Sequence, residues 1–248
     1  MTKFIKNVVA AVFWLFVWQI IALIVHNKVL LAGPIEAFNA LIRMAGEAEF
    51  WQSVSASYLH IIAGIFIGIL LGGLLSVLSY KNELIEMFLS PLVLALKSIP
   101  VASIIILILI WVGSDFISTF ISALVALPIM YVGMKNGFSS ADKKLLEMAH
   151  VYRMPPVNQF RFIYLPALFP SLLSAISLAV GMGFKSGIAA EVIGQPLLSM
   201  GNGLYRAKIY LDTGDVFAWT FVIILVSWIT EKIVMLLLSL VKKGGGIK

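Results

Sequence analysis

Residues 146–170, LEMAHVYRMPPVNQFRFIYLPALFP, form a polar and basic segment inside a chain that is otherwise very apolar. Of its 248 residues, 61% are hydrophobic and only 12% are charged, whereas a soluble domain is about half apolar and about a quarter charged. A plain connection between two helices needs only a few residues. This segment is far longer, and it carries a Pro-Pro pair and a Leu-Pro pair, which indicates a structure with a role of its own.

The composition identifies a polytopic membrane protein, because the mean hydropathy is +1.03 and long apolar runs recur along the chain. A helix needs about 20 apolar residues to cross a bilayer, and it satisfies its backbone polar groups internally. Five runs have this length: Val8–Val25, Tyr58–Ser79, Phe116–Met134, Pro170–Ile193 and Val216–Val241. A sixth lies within Leu89–Val112 and is interrupted by KSIP at 97–100. We therefore expect an all-α membrane helix bundle with about six spans.

Basic residues are distributed unevenly between the two sets of loops. With the N-terminus in the cytoplasm, the outer loops hold four of them, Lys28, Arg43, Arg206 and Lys208. The inner side holds twelve: Lys3, Lys6, Lys81, Lys97, Lys135, Lys143, Lys144, Arg153, Arg161, Lys242, Lys243 and Lys248. Because basic loops remain in the cytoplasm, both termini are expected there. The net charge of +6 then reflects orientation, and we expect no nucleic-acid partner.

Several kinds of site are excluded by residue content. The chain has no cysteine, and its three histidines are scattered, so disulfides, thiol chemistry and a metal centre are not expected. The stretch GMGFKSGIAAEVIG at 181–194 is rich in glycine but has Phe before its Lys-Ser, and it lies in an apolar run. It is not a phosphate-binding loop, and no other stretch is one. Nucleotide hydrolysis would therefore require a different chain.

The segment from Lys135 to Pro166 is predicted to be a helix-turn-helix on the cytoplasmic side. Asp142 is expected to cap the first helix, whose Leu145, Met148, Ala149 and Tyr152 can share one face. Pro155 and Pro156 should end that helix, and VNQFRFIYL should begin a second short element before the next span. An apolar stripe on so small a unit indicates a protein partner. The alternative is a hairpin without a partner, packed entirely on its own spans.

The same segment resembles the EAA loop of permease subunits of bacterial ABC importers, which reads Glu-Ala-Ala, three residues, Gly, then Leu-Pro. Here Glu147, Ala149, Leu165 and Pro166 stand at the family's spacing. Met148 replaces the middle alanine and Arg153 replaces the glycine. Four further stretches resemble this family in order: LAGPIEAFNAL, LVLALKSIP, AAEVIG and YLDTGDVFAWTFVI. Together they resemble the subgroup of sulfonate, taurine, nitrate and thiamine-precursor permeases.

The resemblance implies a type I ABC importer permease fold, with residues 1–248 as a single transmembrane domain of a bacterial inner-membrane protein. It implies a homodimer that forms the pathway, a cytoplasmic ATPase dimer that binds ATP-Mg, and an extracytoplasmic substrate-binding protein. No cofactor is expected in this chain. We call residues 136–166 the coupling loop. The resemblance assigns contact with the ATPase to its residues Leu146, Glu147, Ala149, His150, Tyr152, Arg153, Leu165 and Pro166.

Three polar residues in or near apolar spans are candidates for the pathway of a small polar or anionic solute. Lys185 is near the middle of a span, where a cation costs about 3 kcal/mol or more unless it faces water or a partner. It therefore lines the pathway, or it forms an ion pair or reaches the interface. Glu191 and His60 lie near the outer ends of spans, where a structural contact is the alternative. Asp115 is expected to cap the span that follows it.

Gly64, Gly68 and Gly72 repeat every four residues and are expected to let two helices approach closely. The alternative function is a stand-alone ion-coupled carrier or a channel. Many such carriers show a repeat between their two halves and intramembrane carboxylates that bind ions, whereas this sequence has no evident repeat and few such carboxylates. An intramembrane enzyme is not supported either, since no serine, aspartate and histidine fall together in the spans.

Overall fold

The computed structural model describes residues 3–27 and 29–244. Those residues form eleven α-helices and one π-helical segment, and no strand. The helices are α1 Lys3–Val25, α2 Pro34–Ala45, α3 Ala48–Lys81, α4 Glu83–Ser98, α5 Val101–Val112, α6 Ile117–Ser139, α7 Lys143–Val151, α8 Pro156–Gln159, α9 Leu165–Gly194, α10 Met200–Ile209 and α11 Thr213–Gly244, with the π-helix at Phe160–Tyr164 between α8 and α9. The outer basic residue Lys28 and the last four residues lie outside this description.

The predicted membrane spans are confirmed as helices of sufficient length. Within the described part of the chain, five helical stretches are long and apolar enough to cross a bilayer: Val8–Val25, Ala48–Lys81, Ile117–Ser139, Pro156–Gly194 and Thr213–Leu240. The interrupted sixth run consists of α4 and α5, which meet at an angle of 104°. Ile99 between them has an extended backbone, which is the conformation favoured for a residue that precedes a proline. Because the described residues form helices and no strand, the predicted all-α class is confirmed.

The chain forms two compact units, of which the first contains residues 1–57 and 195–225. In it, the indole nitrogen of Trp18 donates a hydrogen bond to the backbone oxygen of Ala32, at 3.1 Å. Arg43 of α2 pairs with Asp215 and lies 3.7 Å from Asp212. A short helix, α2, follows the first span. It begins at a proline, and the carboxylate of Glu36 accepts the backbone N–H of Gly33 at 2.9 Å.

The second unit contains residues 58–194 and 226–248, and its principal contact is between α6 and α9. Glycines let these two helices approach: a Cβ at Gly133 would overlap the Ala175 side chain. At the centre, the Ser122 hydroxyl donates to the backbone oxygen of Gly183 at 3.0 Å. Ile117 and Ile121 are fully buried beside α5. This unit holds the coupling loop and the candidate pathway residues.

The prediction that Asp115 caps the fourth span is wrong. α6 begins after Phe116, which has no side-chain hydrogen bond at this position, and Asp115 instead accepts a long hydrogen bond of 3.4 Å from the hydroxyl of Ser114. The helix start is held by backbone bonds: the N–H of Ile117 donates to Ser114 and that of Phe120 donates to Phe116. Burial of Ile117 therefore fixes the start without a polar cap.

Candidate functional site

The first helix of the coupling loop is α7, and it starts where the sequence predicts. Asp142 has extended backbone, and its carboxylate accepts the N–H of Lys144 at 2.8 Å. This satisfies one of the amide groups that a helix N-terminus leaves without partners. Such a cap stabilises a helix by about 1 kcal/mol, which matters for a helix of only nine residues.

One face of α7 packs inside the loop. Ala149 is 1% exposed and forms a small buried cluster with Ala141 and Ile163, against which Leu146 and Met154 also pack. Ala149 was predicted to share a face with Leu145, Met148 and Tyr152. They are neighbours along one side of the helix, but only the Ala149 methyl group is buried within the loop, and the other three side chains are exposed. A small residue at 149 thus brings α7 close to the segment that leads into α9.

The exposed apolar side chains of α7 lie beside this buried face and not across the helix from it. These four side chains are Leu145, Met148, Val151 and Tyr152, with exposed fractions of 43%, 45%, 76% and 77%. Glu147 and His150 are also exposed on this helix. The buried side of α7 around Ala149 therefore holds the loop together, while its other apolar side chains remain exposed. The alternative of a hairpin packed entirely on its own spans does not describe this arrangement.

α7 ends in a Schellman turn in which Arg153 occupies the left-handed position, with φ of 48°. The N–H of Met154 donates to Ala149 at 2.8 Å, and the N–H of Arg153 donates to His150 at 3.1 Å. This is the position at which the EAA motif has glycine, and Arg153 adopts there a backbone conformation that glycine enters freely. A left-handed conformation costs an L-residue roughly 1–2 kcal/mol that glycine avoids.

The second arm of the loop differs from the prediction of a separate short element. α8 begins at Pro156, runs through the π-helix Phe160–Tyr164 and continues as α9 without a break. In the wider π turn the N–H of Leu165 donates to Phe160, five residues back. This turn shifts the carbonyl group that the Pro166 ring would otherwise meet, so the helix passes through the proline. Leu165 and Pro166, both half-buried, are thus the first two residues of α9, within a continuous helical stretch from residue 156 to residue 194.

An aromatic cluster joins the loop to two helices of the second unit. Tyr80 at the end of α3 stacks on Phe138 of α6, with ring centroids 4.8 Å apart, and its hydroxyl donates to the Tyr164 hydroxyl at 3.2 Å. Nearby, Lys135 of α6 forms an ion pair with Glu86 of α4. The sequence reasoning missed both contacts, because aromatic residues and ion pairs distant in sequence leave no periodic signal.

The candidate pathway residue Lys185 lies on an exposed face of α9 together with Ser174, Leu178 and Met182, which we call the α9 face. In residues 3–27 and 29–244 no ion pair or hydrogen bond holds its ammonium group. Ser174 and Leu178 also line a groove of about 470 Å³ whose polar residues include Lys97 and Asn136. Two cations thus lie along one side of the second unit.

The other two pathway candidates have different surroundings from Lys185. Glu191 is 1% exposed and engaged within the protein. The His60 ring stacks on Phe116 at 5.6 Å, and its backbone oxygen accepts the Thr119 hydroxyl at 3.0 Å. The structure therefore does not bring Glu191 and His60 onto the exposed face that carries Lys185.

Two further features of the second unit concern contacts between its helices. Glu231, in the middle of α11, accepts a hydrogen bond of 2.6 Å from the Ser177 hydroxyl. The local sequence around either residue does not predict this contact. The predicted packing glycines face α6: a Cβ at Gly64, Gly68 or Gly72 would overlap a backbone oxygen of that helix. Over the described ranges, no cluster of three histidine or acidic side chains is arranged to hold a metal ion.

Comparison with known proteins connects this architecture with transport. The profile of the family described as binding-protein-dependent transport system inner membrane component matches residues 64–244, from α3 through the coupling loop to the end of α11. The chain belongs to this family. It is therefore a multi-pass permease subunit of an ABC importer, a class of transporter that works with an ATPase and a solute-binding protein.

Relatives of this permease support the subgroup that the sequence motifs resemble. It is 26% identical over 223 residues to the putative aliphatic sulfonates transport permease protein SsuC of Bacillus subtilis, covering 89% of this chain and 80% of the relative. It is 26% identical to the formylaminopyrimidine transport permease protein ThiX of Halalkalibacterium halodurans, with 85% and 84% covered. It is 22% identical to the taurine transport system permease protein TauC of Escherichia coli, with 86% and 80% covered.

Proposed function

We propose that this permease is driven by a separate ATPase that grips α7 of the coupling loop. The observation that carries the proposal is the exposed apolar face of Leu145, Met148, Val151 and Tyr152, on a helix whose buried side around Ala149 is fastened to its own chain. An isolated protein gains nothing from exposing such a face, whereas a partner groove would bury it. Glu147 supplies a charged contact beside this face, and ATP-Mg is bound by the partner.

The internal contacts of the loop support the transmission of force. α8, the π-helix and α9 form one helix from 156 to 194, and the cluster of Tyr80, Phe138 and Tyr164 holds its inner end against α3 and α6. When ATP draws two ATPase subunits together, a displacement of α7 passes into this helix as a rigid-body motion. Helices packed at native density do not absorb such a displacement locally.

The coupling proposal is tested by an aspartate at the centre of the apolar face. Met148→Asp places a charge where the partner groove is apolar, and we expect the ATPase to be absent when the tagged permease is purified. Lys81→Asp is the control, because it introduces an aspartate at the exposed end of α3, outside the coupling loop. Undiminished recovery of the ATPase with Met148→Asp would contradict the proposal.

We propose further that the α9 face lines the pathway, and that the pathway is completed by a second copy of this chain. An ammonium group in the middle of a spanning helix requires water or a polar partner, and no described residue of this chain is such a partner. Lys185 and Lys97 on the same side of the second unit favour an anionic cargo. The names of two of the relatives refer to sulfonates or taurine, and a small organic anion of the sulfonate class fits these cations.

Lys185→Met tests the pathway proposal, because methionine keeps the length of the side chain without its charge. We expect uptake of the solute and substrate-stimulated ATP hydrolysis to fall together. Lys232→Met, a cation of α11 that lies over the Trp228 ring, is the matched control and should leave both unchanged. If Lys185→Met transports as well as the unaltered protein, the α9 face is not the pathway. The mass of the purified permease in detergent tests the second copy.

A further inference from the structure

Arg153 combines a left-handed backbone with a long cationic side chain. The turn does not require an arginine, and no described residue of the chain binds its guanidinium group. The φ of Arg153 is 48°, a region that glycine enters freely and arginine does not. Its side chain is exposed, and in the part of the chain that the structure describes no carboxylate or carbonyl group holds the guanidinium. An observed backbone outlier of this kind at a functional surface calls for an explanation in terms of function.

The turn itself does not require an arginine. It is formed by two backbone hydrogen bonds, from Met154 to Ala149 and from Arg153 to His150, at 2.8 and 3.1 Å. The side-chain amide of Gln159 fastens the far side of the turn by donating to the backbone oxygen of Met154 at 2.8 Å. A glycine at 153 would make the same backbone bonds without strain.

The coupling loop that carries Arg153 has an excess of positive charge on its surface. The exposed side chains of the loop include the cations Lys143, Lys144 and Arg161, together with His150. Together with Arg153 these make four full cations, against the two acidic residues Asp142 and Glu147, which are also exposed. A surface with this excess of positive charge is complementary to an acidic partner.

We propose that Arg153 is a specificity-determining residue that binds a carboxylate on the cognate ATPase, at the rim of the groove that receives Val151 and Tyr152. This inference rests on the proposed coupling and identifies the chemistry of its partner. A guanidinium grips a carboxylate with two parallel hydrogen bonds, which a lysine does not reproduce. The contact therefore selects an ATPase with an acidic residue at this position over one shaped for the family's glycine.

The test measures the affinity of the purified permease in lipid nanodiscs for the purified ATPase of the same importer, over a series of salt concentrations. Arg153→Gly keeps the turn and removes the charge, so we expect the Kd to rise about tenfold at low salt and its salt dependence to weaken. Arg153→Lys should keep the salt dependence but bind less tightly than the unaltered protein. Leu211 also has a left-handed backbone, with φ of 56°, in a second Schellman turn. Leu211→Gly is therefore the matched control and should bind normally.

The outcomes separate the two proposals. If Arg153→Gly binds with unchanged Kd and salt dependence while Met148→Asp abolishes binding, coupling through α7 stands and the role of Arg153 is refuted. If Met148→Asp also binds normally, the coupling proposal itself fails. Equal affinity of Arg153→Lys and the unaltered protein would overturn the two-pronged contact.

Discussion

Arg153 shows how a single residue changes the stability of the coupling loop through its backbone. The left-handed conformation costs roughly 1–2 kcal/mol. Glycine also gives the unfolded chain more conformational freedom, which offsets the gain in stability by about 0.4–1 kcal/mol. We therefore predict that Arg153→Gly raises the free energy of unfolding by about 0.5–1 kcal/mol, measured by thermal unfolding of the permease in detergent.

Arg153→Ala is the comparison for this prediction, because alanine removes the guanidinium but keeps the strain. It should not gain stability to the same extent. Equal stabilisation by alanine would mean that repulsion among the cations of the loop, and not the backbone, is what Arg153→Gly relieves.

Ser177 is the second residue whose removal has a defined consequence. Its hydroxyl donates to Glu231, a carboxylate in the middle of an apolar helix, at 2.6 Å. Hydrogen bonds between helices in membranes contribute about 0.6 kcal/mol on average and up to about 1.7 kcal/mol, and the short distance of 2.6 Å places this one in the upper part of that range. We expect Ser177→Ala to destabilise the permease by about 1 kcal/mol or more, measured by the same unfolding assay.

Ser174→Ala is the control from the same helix, one turn earlier. The Ser174 hydroxyl donates to the backbone oxygen of Pro170 within α9 and holds no other helix. Its loss should change the stability little. A loss as large as that of Ser177→Ala would show that the effect belongs to α9 and not to the Glu231 contact.

At the scale of elements, the glycines of α3 set how closely two helices pack. A Cβ at Gly68 would overlap the backbone oxygen of Ala123 and lie 2.8 Å from the Ala126 methyl group. Backbone atoms do not move aside as a flexible side chain does, so Gly68→Ala should cost about 1–3 kcal/mol. The yield of folded permease after heating in detergent measures it.

Gly181→Ala provides the opposite case for the same substitution. Apart from its chain neighbours and the backbone of its own helix, no atom of the described residues lies within 4 Å of a Cβ at this position of α9. Alanine is the better helix former, so the variant should be as stable as the unaltered protein or up to about 1 kcal/mol more stable. If both variants behave alike, the close contact at Gly68 does not limit stability.

The sequence predicts the helices well, because apolar runs near 20 residues and the Ser-Ile-Pro break are strong local signals. It predicts the Asp142 cap for the same reason. It fails at Asp115, where burial of Ile117 decides the start of α6 without a cap. It does not predict the π turn before Pro166, through which α8 continues into α9. Contacts such as that of Ser177 with Glu231 depend on the packing of distant segments, which one sequence does not encode locally.

At the scale of the whole molecule, the distribution of basic residues predicts which loops face the cytoplasm. The chain has no cysteine, so a variant with one introduced cysteine carries a single reactive thiol. We expect Ile35→Cys on α2, where the native side chain is 62% exposed, to react with a membrane-impermeant maleimide in intact spheroplasts. Lys144→Cys in the coupling loop should react only after permeabilisation. The reverse pattern would invert the orientation.

The unbroken helix from residue 156 to residue 194 has a consequence for how this protein tolerates insertions and deletions. Each residue of a helix advances its surface by about 100°. Adding or removing one residue between the turn at Arg153 and Lys185 would therefore rotate Lys185 away from the α9 face. A different side chain would then occupy its place on that face. Chain length in this stretch is thus under as strong a constraint as residue identity, whereas the turn at 195–199 can change length without rotating any of it.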